Sequence, residues 1–156
     1  MVITEISFQL FDVTKLNENP KPVESRGDLD SLAVCPDGRI AAGAYDDGTV
    51  RLWDLATLQP KDAFKGFLLG AHSVAFSPDG QRLAAGSNGQ EAIKLWETET
   101  WHELLTLSGE GSVFEGLKFS PDGRYLLAIN SGGLTQLWYA PSLDEIAAAE
   151  AKAGWQ

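Results

Sequence analysis

Val50-Arg51-Leu52-Trp53-Asp54 is the stretch on which the reading of this chain turns, because it comes back. Ile93-Lys94-Leu95-Trp96-Glu97 and Thr135-Gln136-Leu137-Trp138-Tyr139 repeat it, and Phe8-Gln9-Leu10-Phe11-Asp12 is a degenerate copy with phenylalanine in place of tryptophan. The aromatic residues at 11, 53, 96 and 138 are separated by 42, 43 and 42 residues. A second marker keeps the same step: Pro36-Asp37-Gly38, Pro78-Asp79-Gly80 and Pro121-Asp122-Gly123. Two unrelated motifs in one register identify an internal repeat, and the period is that of a four-stranded propeller blade.

Within each period the alternation has a two-residue step, as a half-buried strand requires. Leu32 and Val34 alternate with Ala33 and Cys35, the Pro-Asp-Gly turn follows, and Ile40 to Ala44 is a short run of small residues suited to a closely packed strand. Asp46-Asp47-Gly48 then makes a tight hairpin turn ahead of Val50, Leu52 and Trp53, and the polar run Gln59 to Lys65 closes the unit as an outer strand. The second and third units repeat this order. Upstream, Thr4 to Asp12 reads as a third strand and Pro22 to Arg26 as an outer edge strand, where proline is tolerated. Downstream, Ser142-Leu143-Asp144-Glu145 is a capping box opening the alanine-rich run 146–153, which predicts a short helix. The expected fold is therefore all-β: a partial β-propeller of four-stranded antiparallel blades, about three and a half repeats, with a short C-terminal helix. Its expected segments are a partial blade over 1–27, blades over 28–66, 67–109 and 110–140, and a helical tail over 141–156.

Composition bounds the function. A hydrophobic share of 44% with 22% charged residues is that of a soluble globular chain. With 22 acidic against 12 basic residues the net charge is −10, which repels phosphate backbones and argues against nucleic acid or an anionic membrane as partner. Cys35 is the single cysteine, so neither an intramolecular disulfide nor a cysteine metal cluster can form, and its place in a strand predicts a buried small side chain. No leader pattern or membrane-length apolar run is present, and the expected location is cytoplasmic.

The repeat resembles that of WD-repeat propellers from about Phe8 to Tyr139, carried by the Leu-Trp-Asp strand ends, Ser77-Pro78-Asp79-Gly80, Ser120-Pro121-Asp122-Gly123 and Asp47-Gly48-Thr49. The segment Leu137 to Ala151 is similar to the end of multidomain bacterial WD-repeat proteins, some of which carry a kinase domain upstream. The resemblance implies a bracing network of Asp, His, Ser/Thr and Trp in each blade; Asp47, Thr49 and Trp53 match three of its members. The histidine is absent: Asp28 follows Gly27, Phe67 follows Gly66 and Glu110 follows Gly109, so bracing is expected mainly from apolar packing. The resemblance further implies a faceted surface offered to protein or peptide partners.

Catalytic chemistry finds no inventory here. His72 and His102 stand in no metalloprotease spacing, no nucleophile elbow or phosphate loop occurs, and Asp46-Asp47 lacks the further ligands of a calcium loop. No catalytic residue, cofactor or metal is expected. The topology instead brings the loops entering the first strands and the loops joining second to third strands onto one face. That face would carry Asp28, Asp30, Tyr45, Asp46, Phe67, Leu68, Glu110, Phe114 and Glu115, suited to a basic protein or peptide. Two readings of Phe67, Leu68 and Phe114 stand: anchors for a partner, or fillers of the space left by the absent histidines. The expected function is a non-enzymatic interaction scaffold. The alternatives are a regulatory portion of a larger bacterial enzyme such as a protein kinase, and a short propeller fragment completed by self-association, either as a homo-oligomer or with the remaining blades of a larger ring.

Overall fold

The computed structural model describes residues 7–10, 21–24, 27–88, 90–109, 113–139 and 145. The chain meanders through β1 (Ser7–Leu10), β2 (Lys21–Glu24), β3 (Leu29–Val34), β4 (Ile40–Tyr45), β5 (Thr49–Asp54), β6 (Gln59–Lys65) and β7 (Ala71–Phe76). It continues with β8 (Arg82–Ser87), β9 (Glu91–Glu97), β10 (Glu103–Ser108), β11 (Phe114–Phe119), β12 (Tyr125–Asn130) and β13 (Thr135–Tyr139). Every pairing is antiparallel between strands consecutive in sequence, giving sheets β1-β2, β3-β4-β5-β6, β7-β8-β9-β10 and β11-β12-β13. This is a partial β-propeller. The helix expected over 142–153 lies outside the described residues apart from Glu145, and so does Phe11.

Strand chemistry follows position in the blade. The second strands β4 and β8 are paired on both edges and covered on both faces, so they carry small side chains: Ala41, Ala42, Ala44, Ala84 and Ala85 are fully buried. The outer strands β6 and β10 are mostly exposed, and β6 accommodates Pro60 where its partner's register shifts between Leu52 and Trp53. Each Pro-Asp-Gly turn closes the same way, with the glycine amide donating to the residue three positions back: Gly38 to Cys35, Gly80 to Ser77 and Gly123 to Ser120. Ser77 and Ser120 add hydroxyl bonds to Asp79 and Asp122, and Cys35 occupies their repeat position as a buried thiol.

The core lies between sheets. One cluster joins Ala42, Ala44, Val50 and Leu52 to Phe67, Val74, Leu83 and Trp96, and a second joins Ala84, Ile93 and Leu95 to Phe114, Leu126 and Ala128. A third seats Val23 of β2 against Ala41, Tyr45 and Trp53, with Phe8 of β1 meeting Trp53 edge-on at 5.2 Å. Trp96 sits 5.0 Å from Phe64 of the preceding blade. The first strands run side by side, β7 lying against β3 on one side and β11 on the other. Bonds cross between them: the Val74 amide donates to the Ser31 hydroxyl at 3.3 Å, and the Ser73 hydroxyl to the Phe114 carbonyl at 2.7 Å. Among the described residues no helix is long and apolar enough to cross a membrane.

Candidate functional site

Each first strand carries an extra residue where its pairing with the second strand shifts. The shifts lie between Leu29 and Ser31, between Ala71 and Ser73 and between Phe114 and Gly116, so the extra residues are Asp30, His72 and Glu115. They keep the repeat step. A bulge re-aims its side chain out of the ladder, and here it puts three polar groups at the same end of adjacent blades. The Asp46 amide donates to the Asp28 carbonyl at 3.0 Å, which holds the β4–β5 turn against the approach to β3. The 67–69 loop is tied to the same turn, because the amides of Gly66 and Phe67 both donate to the Gly48 carbonyl at 3.1 Å. Gly48 has a φ of 79°, and a Cβ there would stand 2.3 Å from the Leu69 carbonyl oxygen, so turn and loop meet in backbone contact. Asp28, Asp30, Asp46, Leu68, Leu69 and His72 thus form one neighbourhood.

Exposure divides the residues expected on this face. Asp28, Asp30, Asp46 and Glu115 are exposed and Leu68 is 85% exposed, whereas Tyr45, Phe67 and Phe114 are buried to 2% or less. Glu110 lies outside the described residues. Tyr45 is therefore corrected to a core residue, and for Phe67 and Phe114 the packing alternative is the one observed: Phe67 meets the Trp96 ring edge-on at 6.2 Å and Phe114 lies 6.3 Å from Trp138. The exposed apolar side chains at this end are instead Leu68 and Leu69, the latter 55% exposed. Nothing in the composition distinguished Leu69 from a buried leucine; its place in the loop after Leu68 was the available signal.

The expected brace also closes differently. Asp47 accepts from the Thr49 amide at 2.9 Å, from the Thr49 hydroxyl at 2.5 Å and from Arg51 Nη2 at 2.7 Å. Arg51 Nε reaches the Thr49 hydroxyl at 3.1 Å, and its guanidinium lies 3.9 Å over the Tyr45 ring. Burial pushes the Asp47 carboxyl up, but the Thr49 and Arg51 bonds outweigh it and hold the group below the ordinary aspartate range. Trp53 stands outside these bonds and is held by the rings of Phe8 and Tyr45. Arg51, four residues from Asp47 across the hairpin turn, takes the place the resemblance assigned to tryptophan; the Asp-x-Thr-x-Arg spacing was the sequence signal for it.

His72 Nδ1 and Asp30 Oδ2 are 2.6 Å apart, linking two blades across the face. A carboxylate accepts only, so Nδ1 is the donor to Asp30. The other ring nitrogen, Nε2, is buried without a hydrogen-bond partner.

Compared with known proteins, residues 23–54 and 60–97 each match the model of the WD40 family (WD domain, G-beta repeat). No curated protein matches the chain. WD40 repeats generally mediate protein–protein interactions from a non-catalytic propeller. The matched segments run from β2 to β5 and from β6 to β9, in the blade order that the repeat spacing requires, so over these residues the chain is built of WD-type repeats.

Proposed function

We propose that the chain is a non-enzymatic protein- or peptide-binding module whose contact surface is the end of the blades bearing Asp28, Asp30, Asp46, Glu115, Leu68 and Leu69. The observation that supports this most directly is the pairing of exposed leucines with exposed carboxylates on one rigidly tied turn and loop. Leucines offer apolar area to desolvate, and a ring of carboxylates favours a basic partner and disfavours an acidic one. Binding of basic and acidic peptides measured across a salt series tests this. Basic peptides should bind more tightly, with affinity falling as salt rises and falling again in Leu68→Ser; salt-insensitive or acid-preferring binding refutes it.

A second reading, self-association, is supported by the exposed apolar side chains of the β11-β12-β13 sheet. Leu52 and Leu95 are 0% and 6% exposed, each under the following blade, whereas Leu137 at the same repeat position is 62% exposed. Tyr125, Ile129 and Tyr139 are exposed beside it. Such a face fits another blade, supplied by a second copy or by further repeats.

A further inference from the structure

We propose that the outer edge of β10 pairs antiparallel with the same edge of a second copy of the chain, joining two blades into one continuous sheet. This edge lies apart from the partner face and from the β11-β12-β13 sheet, and the proposal rests on neither of those readings. Among the described residues β10 is paired on one side only, to β9. A strand paired on one side leaves alternate backbone N–H and C=O groups directed outward, where they template a further strand. The other two outer strands are blunted against this. β2 carries Lys21 and Pro22, and β6 carries Pro60, Lys61, Asp62 and Lys65. β10 has no proline, and at the repeat positions of Lys61 and Asp62 it has Leu104 and Leu105, which are 49% and 51% exposed.

Register selects a second copy as the occupant. The Gly109 amide donates inward, to the Gln90 carbonyl at 3.0 Å, so alternation along the strand directs the backbone groups of Thr106 outward. The repeat agrees. Thr106 pairs with Lys94, and at the same repeat position of β2 stands Pro22, paired with Gln9, a residue with no N–H to give to the ladder. A two-fold axis through Thr106 sets Leu105 of one copy opposite Leu107 of the other, so apolar meets apolar, and sets Glu103 opposite Gly109 and not opposite another carboxylate. Charge permits the contact although each chain carries a net −10. Glu103 is the one ionisable residue of the strand, and in its own blade it already accepts from Lys94 at 3.1 Å and from the Thr106 hydroxyl at 2.6 Å. Because the two strands run in opposite directions, the Leu68 ends of the two copies point opposite ways, and the dimer bridges two partners instead of gripping one.

An edge of six residues is a small interface, so the dimer belongs to the weak class and is measured up to about millimolar concentration. Sedimentation equilibrium of the untagged full chain should show the mass rising toward that of two chains, and hydrogen exchange should show the Thr106 amide gaining protection in step. Thr106→Pro removes the outward N–H without touching the ladder to β9, and Leu105→Lys puts a charge where β6 has one. Each should weaken the dimer at least about tenfold while the dilute chain keeps its fold. Leu137→Glu should leave the Thr106 protection unchanged, which separates this edge from the β11-β12-β13 sheet. The proposal is overturned if the wild-type chain keeps the mass of one chain at about millimolar concentration, if exchange of the Thr106 amide is independent of concentration, or if Leu137→Glu alone abolishes assembly. The exchange reading is made on the wild-type chain, so it decides even where a variant fails to fold.

Discussion

Replacing Phe67 with alanine separates packing from partner binding at a position where both were expected. A phenylalanine ring buries roughly 150–250 Å², which at about 25 cal/mol per Å² corresponds to ~4–6 kcal/mol as an upper bound. Truncation of a buried phenylalanine typically costs ~3–5 kcal/mol, and with the ring 2% exposed against Trp96 we expect about 4 kcal/mol. For a chain of this size each kcal/mol moves the melting temperature by ~2–4 °C, so Phe67→Ala should melt about 8–16 °C lower. Leu68→Ala, one residue on and 85% exposed, should stay within about 0.5 kcal/mol of the parent. Urea titration followed by tryptophan fluorescence reads both, and the environment of Trp96 reports the ring directly. A Phe67→Ala variant within about 1 kcal/mol of the parent, or a Leu68→Ala variant as damaged as Phe67→Ala, would refute the assignment of Phe67 to the core.

Gly48→Ala places a Cβ against the carbonyl oxygens of Leu69 and Phe67 at 2.3 and 2.4 Å at a φ of 79°, whereas Gly38→Ala at a φ of 72° meets nothing within 4 Å. Gly38→Ala should therefore cost about 1–2 kcal/mol of conformational strain, and Gly48→Ala should exceed about 4 kcal/mol in the same denaturant titration. The Asp79 carboxyl is raised by burial but lowered further by the Ser77 hydroxyl, the Gln81 amide and Arg82, so its folded pKa lies below the unfolded value. Its stabilisation is present above the unfolded pKa of about 3.9 and lost as pH falls through the folded value; Asp79→Asn should flatten the acid limb of a stability–pH curve without changing its slope above about pH 5. Leu137→Glu should reduce self-association in light scattering coupled to size exclusion while leaving the fold intact, since that side chain is 62% exposed; unchanged mass across concentrations would remove the self-association reading.

Much of the architecture was legible because its causes are local. The two-residue alternation around Trp53, Trp96 and Trp138 makes strands, the Pro-Asp-Gly and Asp46-Asp47-Gly48 stretches make turns, and a period near 42 residues sets how many strands separate one copy from the next. Which side of a strand is covered was legible only where neighbouring blades repeat. Leu52, Leu95 and Leu137 look alike in sequence, and only the packing of one sheet on the next separates the two buried ones from the exposed one. The same holds for the site. Tyr45 was expected on the partner face and Phe67 and Phe114 read equally as anchors or as packing, and only the positions of Trp53, Trp96 and Trp138 beside them show that all three are buried. Asp47 and Thr49 were legible as a brace, and Arg51 completes it because the hairpin folds its guanidinium back over Tyr45. Asp30 and His72 stand 42 residues apart and show no motif. They meet because bulges in two first strands turn both side chains to the same end of adjacent blades, a consequence of inter-blade register that no local pattern encodes.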